Sequence, residues 1–186
     1  MKSILISIKP QWVEKIFNRE KTVEIRKSKP KCELPCKVYI YETKDKILIG
    51  EHFERSKSKE NLYFGGKAKY ITKKDYYFGK GKVVAEFTLN KVNKFDYEGL
   101  KFYEVLEDVL KHSCLTDEEL CNYIQDGIGY GWRIDNLIIY DTAKELNEFD
   151  RPEIDLTSET TDSAVCPMYA YKKLKRPPQS WCYVLD

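Results

Sequence analysis

The chain has 186 residues, 42% apolar and 33% charged, which suits one domain with a sizeable core and excludes a disordered chain; with no run of 18 apolar residues, a helical membrane span is excluded too. The formal net charge of +2 hides an asymmetry, because residues 1–94 carry +12, residues 95–170 carry −13 and residues 171–186 carry +3. Either the two large segments pair in the fold and cancel, or the first presents a basic face to a polyanion.

In chain order, "SILISI" (3–8) is a β-branched run that predicts a buried strand, and Lys9-Pro10 ends it without a small-residue cleavage site. We expect a first strand there and no secretory signal. Pro10 suits the first turn of a helix. Trp12, Val13, Ile16 and Phe17 then fall on one helical face. "REKTVEIRKSKP" (19–30) follows as a strand in which Val23 and Ile25 alternate with Thr22, Glu24 and Arg26. A loop runs from Ser28 to Pro35. "KVYIYETK" (37–44) and "KILIGEHF" (46–53) are expected to pair through a turn at Asp45, with Val38 and Ile40 on one face and Tyr39 and Tyr41 on the other.

Residues 52–81 look like an insertion, with eight Lys/Arg, three Asp/Glu and seven Phe/Tyr. That mixture is either a surface loop whose aromatics cover the core or a basic, aromatic tract able to hold single strands. "KVVAEFTLNKV" (82–92) is the next strand. Residues 99–126 turn helical, and Thr116-Asp117-Glu118-Glu119 is a capping box that opens the second helix. Gly127, Gly129 and Gly131 are expected to end it, "WRIDNLIIYD" (132–141) returns to strand, and about 150–170 is expected as a loop. "SWCYVL" (180–185) closes the chain. Helices between strands are too few for βαβ repeats.

The chemistry concentrates in few places. Arg26 offers a planar fork for phosphate or carboxylate, Lys21 and Lys27 add charge, Thr22 can donate and accept, and Glu24 can accept from an exocyclic amine. A face for phosphate alone would not carry Glu24. The competing explanation is an exposed strand laced with salt bridges worth about 0–1 kcal/mol each. In "RPPQSWCYV", Gln179 and Ser180 can project where two prolines stiffen the approach, and Arg176 follows Lys172, Lys173 and Lys175 as a second basic patch. Ser180 as a nucleophile would need a base, and neither His52 nor His112 has a triad context. Cys32 and Cys36 lack a second ligand pair, so no metal is expected, nor any cofactor. Without a secretory signal, the six cysteines are expected as reduced thiols of a cytoplasmic protein.

Four segments in this order, "SIKPQWVEKIFNREKTVEIRK", "GKVVAEFTLNKV", "YGWRIDNLIIYD" and "RPPQSWCYV", together resemble the ASCH domain family, a branch of the PUA-like proteins. The resemblance touches roughly residues 2–51, 80–150 and 171–186. It implies one α+β domain over 1–186, a mostly antiparallel β-barrel of about six strands with flanking helices, and a cleft beside "EKTVEIRK". It also implies RNA or nucleotide binding, and with the residues read above the expected site is Lys21, Thr22, Glu24, Arg26 and Lys27 with Tyr41, Arg176, Gln179 and Ser180. Some members resemble amidohydrolases of acylated cytidine and others cleave single-stranded RNA. As an enzyme this chain would use Lys21 and Glu24 as acid and base, but the amidohydrolase members carry threonine where it has Glu24. A third expectation is a protein-interaction module docking through the acidic segment.

Overall fold

The run "SILISI" forms a strand covered on both faces. Ile4, Ile6 and Ile8 enter one buried cluster and Leu5 enters another, which is why the run is continuously apolar rather than alternating. The computed structural model describes residues 2–55, 70–96, 103–125, 127–154 and 169–185. Its strands are β1 (Lys2–Ile8), β2 (Val23–Arg26), β3 (Cys36–Glu42), β4 (Lys46–Arg55), β5 (Tyr70–Phe78), β6 (Val83–Leu89), β7 (Val92–Asp96), β8 (Ile128–Arg133), β9 (Asp135–Lys144), β10 (Asp150–Ile154), β11 (Tyr169–Lys173) and β12 (Trp181–Leu185). The helices are α1 (Pro10–Phe17), α2 (Tyr103–Ser113) and α3 (Asp117–Ile124).

The strands form a seven-stranded sheet in the order β11-β10-β12-β1-β3-β6-β9, a three-stranded sheet β2-β8-β7, and the hairpin β4-β5. Every described pairing is antiparallel except β1 with β3. The α+β class stands. Among the described residues the strands form these three sheets, which are not closed into the expected barrel of about six strands. The chain changes sheets at Ile134, where "WRIDNLIIYD" divides between β8 and β9, and again at Asn90-Lys91, where "KVVAEFTLNKV" divides between β6 and β7.

The glycines expected to end a helix lie in or just before β8. A Cβ on Gly129 would sit 2.3 Å from the Phe95 ring and 2.8 Å from Ile124. Its absence lets α3 and β7 press directly on the strand. This packing makes a third cluster of Val23, Ile25, Phe95, Val109, Leu120 and Ile124. The capping box forms as expected: the Glu119 N–H donates to Thr116 Oγ1 at 3.1 Å, and the Thr116 N–H donates to Glu119 Oε2 at 2.9 Å.

Two expected connections change. β3 and β4 do not pair across Asp45, because β3 is already enclosed by β1 and β6. β4 pairs instead with β5, inside the stretch expected as an insertion. The loop expected at about 150–170 is strand at both described ends, β10 against β11. Pro152 is tolerated there because β10 pairs with β12 only at Asp150, so its missing N–H breaks no ladder on that side. Residues 56–69 and 155–168, the rest of those two stretches, lie outside the described residues, as do the helix start at 99–102 and Asp126. Among the described residues no helix is long and apolar enough to cross a membrane.

Candidate functional site

The wall of the site is built by how α1 ends. Arg19 takes a left-handed φ of 64°, and the Lys15 carbonyl accepts from the N–H groups of both Glu20 and Lys21, at 2.9 and 3.0 Å. This reversal turns the chain into β2. The Thr22 N–H donates to the His112 carbonyl, and the Thr22 carbonyl accepts from the Ile134 N–H, both at 2.9 Å. β2 is thereby pinned between α2 and the end of β8. Val23 and Ile25 point into the third cluster, and the alternation sends Glu24 and Arg26 the other way.

That polar face is buried rather than wet. Lys21 is 2% exposed, and Glu24 and Arg26 are 7% exposed each. The three charges form a chain. Lys21 Nζ donates to the Ser113 carbonyl at 2.7 Å and lies 3.3 Å from Glu24 Oε2. Glu24 Oε1 lies 2.9 Å from Arg26 Nη2. The same Nη2 donates to the Ser7 carbonyl at 2.7 Å, and Nη1 reaches Ser180 Oγ at 3.5 Å. Two buried polar atoms of this wall, Arg26 Nε and Thr22 Oγ1, have no partner among the described residues. Lys21 Nζ also stands 5.3 Å from the centre of the Trp12 ring.

A cleft of about 630 Å³ opens over this wall, lined by Ser7, Trp12, Lys21, Glu24, Arg26, Asn122, Tyr123, Gln179 and Ser180 among others. That volume is in the range of small-molecule sites. Its lining charges cancel: Lys9, Lys21 and Arg26 stand against Glu24, Asp45 and Glu119. The cleft is therefore no simple phosphate funnel. It offers aromatic flanks, amide edges and a neutralised charge network. Burial pushes the Tyr123 phenol upward from its ordinary value; the Arg26 guanidinium pulls it down, and Glu24 adds to the rise.

Five of the residues singled out from the sequence converge here: Lys21, Glu24, Arg26, Gln179 and Ser180. Four do not line the cleft. Tyr41 was expected in it, but its ring packs in the second cluster beside Leu5, Tyr39 and Val184, on the side of β3 opposite to Ile40. It lines a separate depression with Glu145 and Leu174, and its phenol is raised by burial and then by Glu145. Thr22 serves through its backbone, between α2 and Ile134. Lys27 is exposed, with Nζ 5.8 Å from the centre of the Tyr123 ring. Arg176 lies in another groove with Arg151, Lys172, Lys173 and Lys175.

Trp12, Asn122 and Tyr123 line the cleft and were not singled out. Trp12 read as part of the apolar face of α1, yet only Pro10, Val13 and Ile16 of that helix are buried. Asn122 and Tyr123 sit on the exposed side of α3, and only the placement of α3 across β2 brings them to the cleft. Among the described residues no group of three or more His, Cys, Asp or Glu could hold a metal ion. Cys32 and Cys36 lie with their sulfurs 3.2 Å apart as free thiols. Burial, then Cys32 itself, pushes the Cys36 thiol up to about 12, which makes it a poor thiolate.

The same architecture occurs in solved structures. The crystal structure of ASCH from Zymomonas mobilis matches with a TM-score of 0.57 at 14% identity, over 97% of this chain and 86% of that one. A serine-to-alanine mutant of that protein gives 0.57 at 14% identity, over 97% and 87%. A tyrosine-to-phenylalanine mutant gives 0.51 at 14% identity, over 80% and 78%. No family model and no curated protein matches the chain. At this identity the likeness speaks to the fold: the chain has the ASCH fold.

Proposed function

We propose that this ASCH-fold protein binds single-stranded nucleic acid, RNA in the first instance, and seats a base or nucleotide in the cleft. The observation that carries this is the buried Lys21–Glu24–Arg26 chain in the cleft wall. A buried ion network is a poor way to stabilise a fold. Apolar residues of the same volume are often better by about 1–4 kcal/mol, because taking each ion out of water costs several kcal/mol. A network kept beneath an open cleft fits a ligand. Each Glu24 oxygen has a further lone pair to accept from an exocyclic amine. Arg26 Nε is a buried donor without a partner among the described residues, and Trp12 and Tyr123 bring aromatic rings to the lining, the side-chain type on which bases stack. The balanced charge of the lining suits a base better than a bare phosphate. Lys27 outside the cleft, and the groove of Arg151, Lys172, Lys173, Lys175 and Arg176, where Lys173 also pairs with Asp150 at 3.1 Å, supply positive charge for the backbone.

Binding is favoured over hydrolysis by the position of Lys21. Its Nζ is held by the Ser113 carbonyl at 2.7 Å and by Glu24 at 3.3 Å. Both contacts engage N–H groups of the ammonium, and the Glu24 carboxylate is already shared with Arg26 at 2.9 Å. Lys21 therefore positions Glu24.

The test is fluorescence anisotropy of a labelled single-stranded RNA across a salt series. Affinity should fall as salt rises, with a slope of about −0.7 per phosphate neutralised, and Arg26→Gln should weaken it at every salt concentration. Absence of binding at low salt sinks the proposal.

A further inference from the structure

The β4-β5 hairpin stands apart from the other two sheets and pairs with nothing else among the described residues. Its two faces are unlike. On the inner face, the Tyr77 hydroxyl donates to the Glu42 carboxylate at 3.1 and 3.2 Å, and the Lys80 N–H donates to the same carboxylate at 3.0 Å. The Gly79 N–H donates to the Asp45 carbonyl at 3.1 Å. A Cβ on Gly79 would lie 1.8 Å from the Thr43 carbonyl oxygen and 2.6 Å from Pro10 Cγ, so the root of the hairpin is seated hard against the start of α1. Thr43 and Asp45, at that root, also line the cleft. The hairpin is a fixed arm that leaves from the rim of the site.

On the outer face, Lys46 stands opposite Phe78 and Leu48 opposite Tyr76, so the four side chains share one side of the ribbon. Phe78 is 63% exposed, Leu48 48% and Tyr76 39%. Lys46 Nζ sits 3.5 Å from the centre of the Tyr76 ring and 5.7 Å from that of Phe78. Exposed rings with a cation over them are the pieces a stacking platform for single strands is made of. The surrounding charge has the matching sign. The described residues 44–55 and 70–80 carry six Lys/Arg and four Asp/Glu, and the connection at 56–69 carries four lysines and one glutamate.

We propose that the outer face of this arm, Lys46, Leu48, Tyr76 and Phe78, is a second subsite for the same nucleic-acid strand, stacking the bases that flank the one held in the cleft. This rests on the function proposed above and adds a direction to it: the strand leaves the cleft past Thr43 and Asp45 and runs out along the arm.

The experiment compares anisotropy titrations of two single-stranded RNAs, about 4 and about 12 nucleotides long, both within the site sizes of single-strand binders. The intact chain is set against the double variant Tyr76→Ala/Phe78→Ala and against Lys46→Ala, with circular dichroism to check that each is folded. The double variant should bind the longer RNA roughly 5- to 150-fold more weakly per lost stack and the shorter RNA as the parent does. Lys46→Ala should show a smaller loss in the same direction. Equal affinity of parent and double variant for the longer RNA overturns the arm while leaving the cleft standing. Failure of the parent to bind either RNA overturns both. Sedimentation showing a dimer that the double variant abolishes would assign the face to a second copy and also overturn the arm.

Discussion

β2 and β5 read alike in sequence and fare differently in the fold. "TVEIRK" and "TKKDYYF" both mix charged with apolar or aromatic residues. In β2, Glu24 and Arg26 end up 7% exposed each and join Lys21, just before the strand and 2% exposed, in one continuous network. In the arm, the Lys74–Glu51 pair has side chains 51% and 45% exposed. The difference is cover. β2 has α2 and α3 over one face, and β1, α1 and the Gln179-Ser180 turn beside the other. β5 has only β4. The same residue types thus become a costly, specific network in one place and a solvated, cheap one in the other.

The sharpest way to break this contrast is to remove the central charge of each. Glu24→Ala strands Lys21 and Arg26 as buried cations and should cost about 3–5 kcal/mol, lowering the thermal midpoint by roughly 6–20 °C for a chain of this size. Glu51→Ala in the arm should change stability by less than about 1 kcal/mol. Equal effects would contradict the role of cover. Next, Gly129→Ala tests how tightly the cover is seated. It forces a methyl into the Phe95 ring and should destabilise by about 1–3 kcal/mol in a denaturant melt. Thr116→Ala, which removes the cap from the helix that carries Asn122 and Tyr123 to the cleft, should cost about 1 kcal/mol and loosen oligonucleotide binding in parallel.

The smallest effect concerns pH. Tyr123 at the cleft and Tyr77 at the root of the arm are both raised above the ordinary phenol value of 10.0, chiefly by burial. The folded state keeps its protons where the unfolded chain begins to lose them. Their contribution is complete below pH 10 and is lost as pH climbs through the raised values. Unfolding midpoints measured across pH about 8 to 11 should fall only at the alkaline end, and less steeply in Tyr123→Phe.

Much of the fold was legible where the signal is local. The β-branched run of β1, proline at the start of α1, the Thr116–Glu119 box and the alternation in β3 each depend on neighbours in sequence. What escaped depends on distant partners. "WRIDNLIIYD" carries no mark that its halves belong to different sheets. The glycines of β8 looked like a stop because the side chains that need their space, Phe95 at Gly129 and Val109 and Val23 at Gly131, come from other elements. The trio Lys21, Glu24 and Arg26 could be picked out by residue type, but its burial could not, since the helices that cover β2 come about 80 residues later in the chain. Tyr41 was misplaced for a related reason. Alternation correctly set it opposite Ile40, and only the sheet order decides which of those faces meets the cleft.

The central claim is that the Lys21–Glu24–Arg26 wall is the seat of a base. It is tested most directly by mapping chemical shifts of isotopically labelled protein during titration with single-stranded RNA. The Trp12 indole, the side-chain amides of Asn122 and Gln179 and the backbone of β2 should move together and saturate together. Shifts confined to the acidic helices α2 and α3 away from the cleft, or no shifts at low salt, would contradict it.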